Sequence, residues 1–473
     1  MDLTPYEYAN ILNLGPAHTS KKIWIEGRIH NMKVQAKMCF IILRYQDNTL
    51  QTIALKSILK DSFKDLCALQ SESLIQLYGT LNTIPESVGK VKSASYTDFE
   101  LVIEHYVLAS PAAKLPFSLE DANDAGNSYR NDVTLHTRLD NRYFDLRVPF
   151  NHAVFTIQSA TTQLFRDYLL QNDFIEIHTP KLISTASEGG ANVFGVKYFD
   201  KNAFLAQSPQ LYKQMAINAD FDRVFEVGPV FRAENCISHR HMCEFIGLDL
   251  EMAIAPNKNY TEIIHMLWNT LTHIFNGLNS KYKSKLELIQ SKAPFDNLVY
   301  SAEPLIISFE DGIKMLVKAG FLQNFDDDLS TVNEKELGKL VKTEFGSDIF
   351  VLNKYPLKVR PFYTMPAEPN KEENENKDKP NIQYSNSYDI IMRGEEICSG
   401  AQRIHDYTLL QKQLESRELS TKGLEHYLKS FTLGSKRHGG GGFGLERIVM
   451  LFLNLGNIRR ASLFPRDPAR IEP

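Results

Sequence analysis

Three stretches of this 473-residue chain collect the side chains that chemistry at an anionic ligand needs. The first, Phe225 to Met252, reads FEVGPVFRAENCISHRHMCEFIGLDLEM. Strand alternation puts Gly228, Val230, Arg232 and Glu234 on one side, and Pro229, Phe231 and Ala233 on the other. It then puts Phe245, Gly247, Asp249 and Glu251 on one face, with Ile246, Leu248, Leu250 and Met252 behind. This is the pattern of an antiparallel hairpin with an apolar back and a charged front. Its loop carries Asn235, His239, Arg240 and His241. Arg232 and Arg240 suit phosphates there, and Phe245 offers a flat apolar surface to an aromatic base. The run Cys236, His239, His241, Cys243 invites a zinc reading, but structural zinc sites bring paired, short-spaced ligands on knuckles. Mixed charge on a polar sheet face is also common in its own right.

The second stretch, Tyr388 to Ile397, reads as a hairpin turning at Gly394. Asp389 and Glu396 then project toward one face, close enough to share a divalent cation of the oxygen-loving kind, or to stand as an exposed acidic pair. The third stretch is Gly439-Gly440-Gly441-Gly442-Phe443-Gly444, which opens an apolar helix. It satisfies G-x-G-x-x-G, yet the further strand and acidic residue of a dinucleotide-binding unit are missing before the end at Pro473. Glycines without side chains leave room for a nucleotide to lie flat against the backbone. Arg447, in the first turn of that helix, opposes the helix dipole, which makes sense if it faces a polyphosphate or a neighbouring acid. There is no GxxxxGK[ST] loop.

The elements that must position these residues follow from composition and order. A content of 43% hydrophobic and 23% charged residues is that of an ordinary globular protein, and the length suits two or three domains. A net charge of -4 neither advertises nor excludes nucleic acid, because a local basic face is what matters. Five scattered cysteines with no CxxC pair suit a reducing compartment. The acidic start MDLTPYEYAN shows no targeting pattern, and no apolar run is long enough to span a bilayer. The expectation is a cytoplasmic protein with no membrane association.

Strand signals at Ile23–Asn31, Met38–Tyr45, Thr49–Ala54, Leu74–Asn82 and Phe99–Ala109, with a helix near Ser62–Leu69, give the order of an OB barrel. Such barrels commonly hold single-stranded nucleic acid on strands two and three, stacking bases on aromatics beside basic groups. Arg28, His30, Lys33, Lys37, Phe40, Arg44 and Gln51 fall there, although Phe40 also suits a core. Ser110 to Asp132 reads as a linker, and His152 to Asn172 as an amphipathic helix ending beside an edge strand at Thr179-Pro180. Ser184–Ala191 resembles a mobile lid with Glu188 at its tip. Residues from Asn257 to Phe345 are mostly helical, and Pro366–Pro380 is a charged low-complexity insert expected to be disordered.

Taken together, RDYLLQNDFIEIHTPKL, GPVFRAENCISHRHMCEF and GGGFGLERIV resemble motifs 1, 2 and 3 of the class II aminoacyl-tRNA synthetases, in the expected order. QSPQLYKQ, EEICSGAQRIHD and RRASLFPRDP extend the resemblance to the aspartyl-tRNA synthetases of the eukaryotic cytosolic and archaeal kind. That family implies an α+β protein: an OB-fold anticodon-binding barrel over 1–109, a linker or hinge over 110–145, and a catalytic domain over 146–473 built on an antiparallel sheet flanked by helices, with an insert near 366–381. It implies ATP and Mg2+, L-aspartate and tRNA(Asp) as partners, and a homodimer.

By the same resemblance, Arg232, Arg447 and Glu396 are catalytic. ATP falls to Arg232, Glu234, Arg240, His241, Met242, Phe245 and Glu396, together with Gly444, Leu445, Glu446 and Arg447. Aspartate falls to Glu188, Gln210, Lys213, Arg232, Asp249, Ser399 and Arg403, with Arg403 and Lys213 gripping its side-chain carboxylate and Asp249, Glu188 and Gln210 around its ammonium. Magnesium falls to Asp389, Glu396 and Ser399. Lys33, Phe40 and Gln51 are implied to meet the anticodon. Lys436-Arg437-His438 departs from the usual Pro-Pro-His, so that loop is free to touch tRNA or phosphate differently. Two alternatives remain at this stage: an enzyme that also aspartylates tRNA(Asn), and a non-catalytic nucleic-acid-binding paralogue.

Overall fold

The computed structural model describes residues 3–85, 87, 89–123, 133–185, 193–368 and 382–473. They form two compact units, the first ending at His152 and the second running from Ala153 to Pro473. In the first unit, strands β1 (Glu7–Tyr8), β2 (Lys22–Val34), β3 (Met38–Tyr45), β4 (Asn48–Leu55), β5 (Leu74–Thr83) and β6 (Tyr96–Ser110) pair in the order β1-β2-β3-β4-β6-β5, and β2–β5 pairing closes the barrel. Strict alternation along β2 buries Ile23, Ile25 and Ile29, which meet Leu43, Leu77 and Ile103 inside. The sequence expectation for this barrel holds strand by strand. The helix expected near Ser62–Leu69 is present as Ser62–Cys67, and a further short helix, Lys56–Leu59, precedes it.

Within 110–145, expected as a linker, the described residues form three short helices, Leu119–Asn123, Leu135–Asp140 and Arg142–Asp145. Asp145 is fully buried and accepts from Arg138 Nε at 2.6 Å and Arg142 Nη1 at 2.5 Å. Arg147 reaches Glu72 of the barrel at 3.0 Å, and Glu72 also holds Arg44 at 2.7 Å. Buried charge of this kind persists only when paired; the Asp145 pairs close the segment on itself, and Arg147 just after it bridges to the barrel.

The second unit is organised by an eight-stranded sheet. Its strands are β7 (Ile175–Glu176), β11 (Arg223–Phe231), β12 (Glu244–Ala253), β13 (Ile306–Ser308), β14 (Ile349–Asn353), β15 (Ser387–Met392), β16 (Glu395–Gln402) and β17 (His438–Gly444). They run in the order β13-β14-β15-β16-β17-β12-β11-β7. A small sheet of β8 (Leu182–Ile183), β9 (Gly195–Tyr198) and β10 (Lys201–Leu205) stands apart. All central pairings are antiparallel, as expected, but both outermost pairings, β7 with β11 and β13 with β14, are parallel. Helices Phe309–Lys318 and Thr331–Phe345 pack on β13 to β15 through Ile313, Leu316, Leu337 and Val341.

The hairpin expected from Phe225 to Met252 is present as β11 and β12, paired from Arg223↔Met252 to Phe231↔Glu244. Two details differ. β11 stops at Phe231, so Arg232 and Glu234 leave the strand and enter the loop. The charged front is enclosed: Asp249 is 7% and Glu251 0% exposed, with Lys213 and Arg403 packed on them.

The glycine run also does something the sequence did not disclose. It is β17, threaded between β12 and β16. A Cβ on Gly440 would fall 2.0 Å from Leu250 O and 2.5 Å from Glu251 Oε2, and one on Gly442 2.7 Å from Asp249 Oδ1. The absent side chains therefore make room for the β12 carboxylates. Gly440→Ala is expected to destabilise the protein by roughly 1–3 kcal/mol, the usual result of forcing atoms into a filled interior, read as a lowered urea midpoint; an unchanged midpoint would show that β17 can shift.

Candidate active site

The front of β12, β16 and β17, the loop after β11 and the segment from Arg360 to Thr364 enclose a cavity of about 280 Å3. Arg232, Glu234, Arg240, His241, Met242 and Phe245 line it from the loop and the start of β12. Asp249, Glu396, Ser399, Arg403 and Gln210 line it from the sheet and its flanking helix, and Gly444, Glu446 and Arg447 from the last strand and helix. The sheet therefore brings together residues more than two hundred positions apart. Leu445, Lys213 and Asp389 are buried and are not among the residues that line it. Glu188 lies outside the described residues, as do most of the lid and of the acidic insert.

At one end, cations and carboxylates alternate. Lys213, 0% exposed on the helix Gln210–Asn218, donates to Asp249 Oδ1 at 3.0 Å and stands 3.5 Å from Glu251 Oε2. Arg403, at the end of β16, donates through Nε to Glu251 Oε1 at 2.9 Å and through Nη2 to Gln210 Oε1 at 3.0 Å and Gly440 O at 3.1 Å. Burial pushes the Glu251 carboxyl up, but Arg403 and Lys213 outweigh it and leave it below the usual range. Burial dominates at Asp249, whose carboxyl is raised despite Lys213. Gln210 was expected beside an ammonium group; in the structure its oxygen orients Arg403. Glu251 was visible in the sequence only as one more front-face acid, and its strand position gave no sign that two cations depend on it.

At the other end, Arg447 donates to Glu396 O at 2.8 Å and Arg240 O at 3.2 Å, which joins β16 to the loop. Arg240 turns toward the helix Thr331–Phe345, where Glu334 accepts at 2.8 Å and Thr331 at 2.9 Å. The Arg232 guanidinium lies 5.6 Å from the Phe245 ring. Burial, then Arg447, Arg240 and Arg232, lower His241 to about 4, so in the ligand-free protein its ring is neutral near pH 7 and hydrogen-bonds Ser238 Oγ at 2.7 Å. Glu446 turns back onto Ile246 N at 3.1 Å, and burial raises it to about 7.

The expected metal set is not preassembled. Asp389 and Ser399 do face each other across β15 and β16, but both Asp389 oxygens are taken by Arg360, at 3.0 and 2.6 Å, and Ser399 Oγ accepts from the same guanidinium at 3.0 Å. Burial and then the neighbouring Asp389 raise Glu396 to about 7. Among the described residues no group of three or more His, Cys, Asp or Glu is placed to hold a metal. Cys236 is exposed, and His239 bonds Glu395 at 2.8 Å.

In the barrel, Lys33 lies directly opposite Phe40, and Phe40 opposite Ile53, two residues from Gln51, so the three expected residues share a face. Phe40 is half-buried and outside the barrel core. Gln51 bonds Glu100 at 2.5 Å. Lys436 pairs with Asp222 at 2.7 Å, and Arg437 donates to the carbonyls of Ala255, Pro256 and Lys258. These bonds are internal.

An antiparallel sheet of this order, with arginines at one end and paired cations at the other, is that of a class II synthetase. The family model described as tRNA synthetases class II (D, K and N) matches residues 134–468, and the chain belongs to that family. It is 43% identical over 479 residues to the cytoplasmic aspartate–tRNA ligase of Caenorhabditis elegans, covering 98% of this chain and 87% of that one. The solved aspartyl-tRNA synthetase of Entamoeba histolytica superposes with a TM-score of 0.86 at 38% identity, covering 99% of this chain and 93% of that one. The asparaginyl-tRNA synthetase of Pyrococcus horikoshii, solved with asparaginyl-adenylate, gives 0.82 at 26% identity, covering 99% and 100%.

The raised Glu446 sets a pH expectation. A carboxyl whose folded pKa of about 7 exceeds its ordinary 4.5 binds its proton more tightly when folded. Its contribution is complete below pH 4.5 and is lost as pH rises through 7. Relative to Glu446→Gln, the ligand-free wild type should therefore lose roughly 3 kcal/mol of stability between pH 4.5 and 8. Parallel urea titrations of the two proteins would expose the difference, and equal slopes would refute the assignment.

Proposed function

We propose that this chain joins L-aspartate to tRNA(Asp) at the expense of ATP, through an aspartyl-adenylate, in the cytoplasm. The observation that carries this reading is the pair of buried cations, Lys213 and Arg403, held on Glu251 beside the arginine-lined cavity in a chain so similar to curated aspartate–tRNA ligases. Two cations at one end of the pocket favour a side-chain carboxylate over a neutral amide, and repel lysine.

In the first step an oxygen of the aspartate α-carboxylate attacks the α-phosphorus of ATP, and the bond to pyrophosphate breaks. The attacking group is already anionic, so no general base is needed, and the protein's work is positioning and charge neutralisation. Arg232 would hold the α-phosphate and the attacking carboxylate, with adenine against Phe245 and its edge near Glu234. Arg447 would neutralise the departing pyrophosphate. His241 would contribute a hydrogen bond, or a charge once phosphate raises its pKa. The terminal adenosine hydroxyl of tRNA then attacks the aspartyl carbonyl and AMP leaves. Mg2+, when bound, would neutralise phosphate charge; of Asp389, Glu396 and Ser399, the expected set, Glu396 is the one that Arg360 does not engage.

The barrel would read the anticodon by stacking a base on Phe40 beside Lys33. A second copy of the chain would cover the sheet edge at β7, where Ile175 is 50% exposed and nearby Leu170 55%.

ATP–pyrophosphate exchange with aspartate, asparagine and lysine, followed by charging of tRNA(Asp) and tRNA(Asn), tests the reading. Exchange should depend on aspartate; dependence on asparagine or lysine alone would overturn it. Arg403→Lys should keep ATP binding and lose aspartate-dependent exchange, since an ammonium cannot reproduce the planar fork. Phe40→Ala should leave exchange intact and raise the KM for tRNA roughly tenfold, the worth of one stacked base; an unchanged KM would remove Phe40 from the interface.

A further inference from the structure

Three arginines of the barrel unit converge on a single carboxylate. Arg28 on β2 and Arg44 on β3 are directly opposed, a pairing of like charges that costs stability unless something neutralises it. Glu72, 2% exposed in the turn before β5, offsets part of it. Both its oxygens accept from Arg44 Nη2 at 2.7 Å, one also accepts from Arg147 Nη1 at 3.0 Å, and its carbonyl takes Arg28 Nη1 at 3.0 Å. Its φ of 69° lies in the left-handed region, which a glutamate keeps only where its surroundings impose it. One carboxylate cannot balance three guanidinium groups. Burial and then Arg147 hold the Arg28 guanidinium below its ordinary value. Glu120 is exposed and acts on His30, which burial and then Arg44 lower, so that His30 adds no charge near pH 7. A chain of net charge -4 thus keeps positive charge in excess at this place, and Arg28 and Arg147 are half-buried rather than enclosed.

We propose that Arg28 and Arg147 form an anion site for one backbone phosphate of the tRNA strand that lies on the barrel, with Arg44 and Glu72 as the fixed base that orients them. The proposal rests on the reading of the barrel as the tRNA-binding surface. Phe40, Ile42 and Arg44 alternate along β3 with the core residues Cys39, Ile41 and Leu43, so the guanidinium cluster and the stacking ring share one face. Four residues of strand, about 13 Å, separate them. A nucleic-acid strand stacked on Phe40 therefore carries its neighbouring phosphates past Arg28 and Arg147. Guanidinium forks match phosphate oxygens, and contacts of this kind fix register without reading sequence. The ligand then neutralises the excess charge that the empty protein holds half-buried.

Fluorescence anisotropy titrations of tRNA(Asp) at a series of KCl concentrations test this. The double variant Arg28→Gln/Arg147→Gln leaves Glu72 both bonds from Arg44, so the turn keeps its counter-charge. It should bind tRNA(Asp) about fivefold more weakly at 0.1 M salt, and its slope of log affinity against log salt should be shallower by about 0.7, the value of one phosphate contact on a single strand. An unchanged slope in the folded variant would make the cluster a structural ion pair and overturn the proposal. A methylphosphonate scan of the anticodon stem-loop against the wild-type protein gives a second reading that needs no variant. One neutralised phosphate outside the anticodon triplet should cost about the same fivefold, and the double variant should not feel that change. A scan in which no such position costs affinity, or in which every loss persists in the double variant, would refute the site. Wild type that fails to bind tRNA(Asp) at all would sink the barrel reading and this proposal with it; wild type that binds, with a slope the double variant leaves unchanged, would remove the phosphate site alone.

Discussion

The second unit depends on one buried carboxylate. Glu251, fully enclosed on β12, holds Arg403 at 2.9 Å and stands 3.5 Å from Lys213. Desolvating any of these charges alone would be prohibitive; together with Asp249 they form two cations and two anions in contact, and the cost is met by geometry. Removing Glu251 would leave Arg403 buried without a counter-charge and Lys213 with Asp249 alone. The cluster also fixes where the cations point, which is what a pocket choosing between a carboxylate and an amide requires.

The rest of the sheet follows from that constraint. Carboxylates on an interior strand need space on the neighbouring strand, and β17 supplies it by carrying glycine opposite both Asp249 and Glu251. Packing on the far face is correspondingly tight, since Ile263 and Leu267 press on Gly439 and Gly441. The same strand leads into the helix bearing Arg447, whose bonds to the backbone of Glu396 and Arg240 join sheet and loop. The proposed amino-acid and nucleotide ends are therefore braced by one continuous piece of chain.

Much of this was legible beforehand, for physical reasons. Barrel strands alternate with period two around an apolar interior, so Ile23, Ile25 and Ile29 announce themselves. The β11–β12 hairpin showed the same signal, and so did the turn at Gly394, whose φ of 74° requires a residue without a side chain. What stayed hidden was long-range. Nothing local says that β17 lies between β12 and β16, so Asp249 and Glu251 read only as a charged front, with no sign of their burial. Arg360 sits in a short irregular segment with no periodicity, 29 residues from the aspartate it pairs with. Ser110 to Asp132 read as a linker because its Pro, Ala, Asn, Asp and Ser content is what a linker would show, and composition gives no sign of the ion pairs that Asp145 makes with Arg138 and Arg142.

The most direct test is a crystal structure with a non-hydrolysable aspartyl-adenylate analogue. The ligand's side-chain carboxylate is expected on Arg403 and Lys213, with both cations still bonded to Glu251, and its adenine against Phe245. A carboxylate seated elsewhere, or an Arg403 that abandons Glu251 to reach it, would contradict the account.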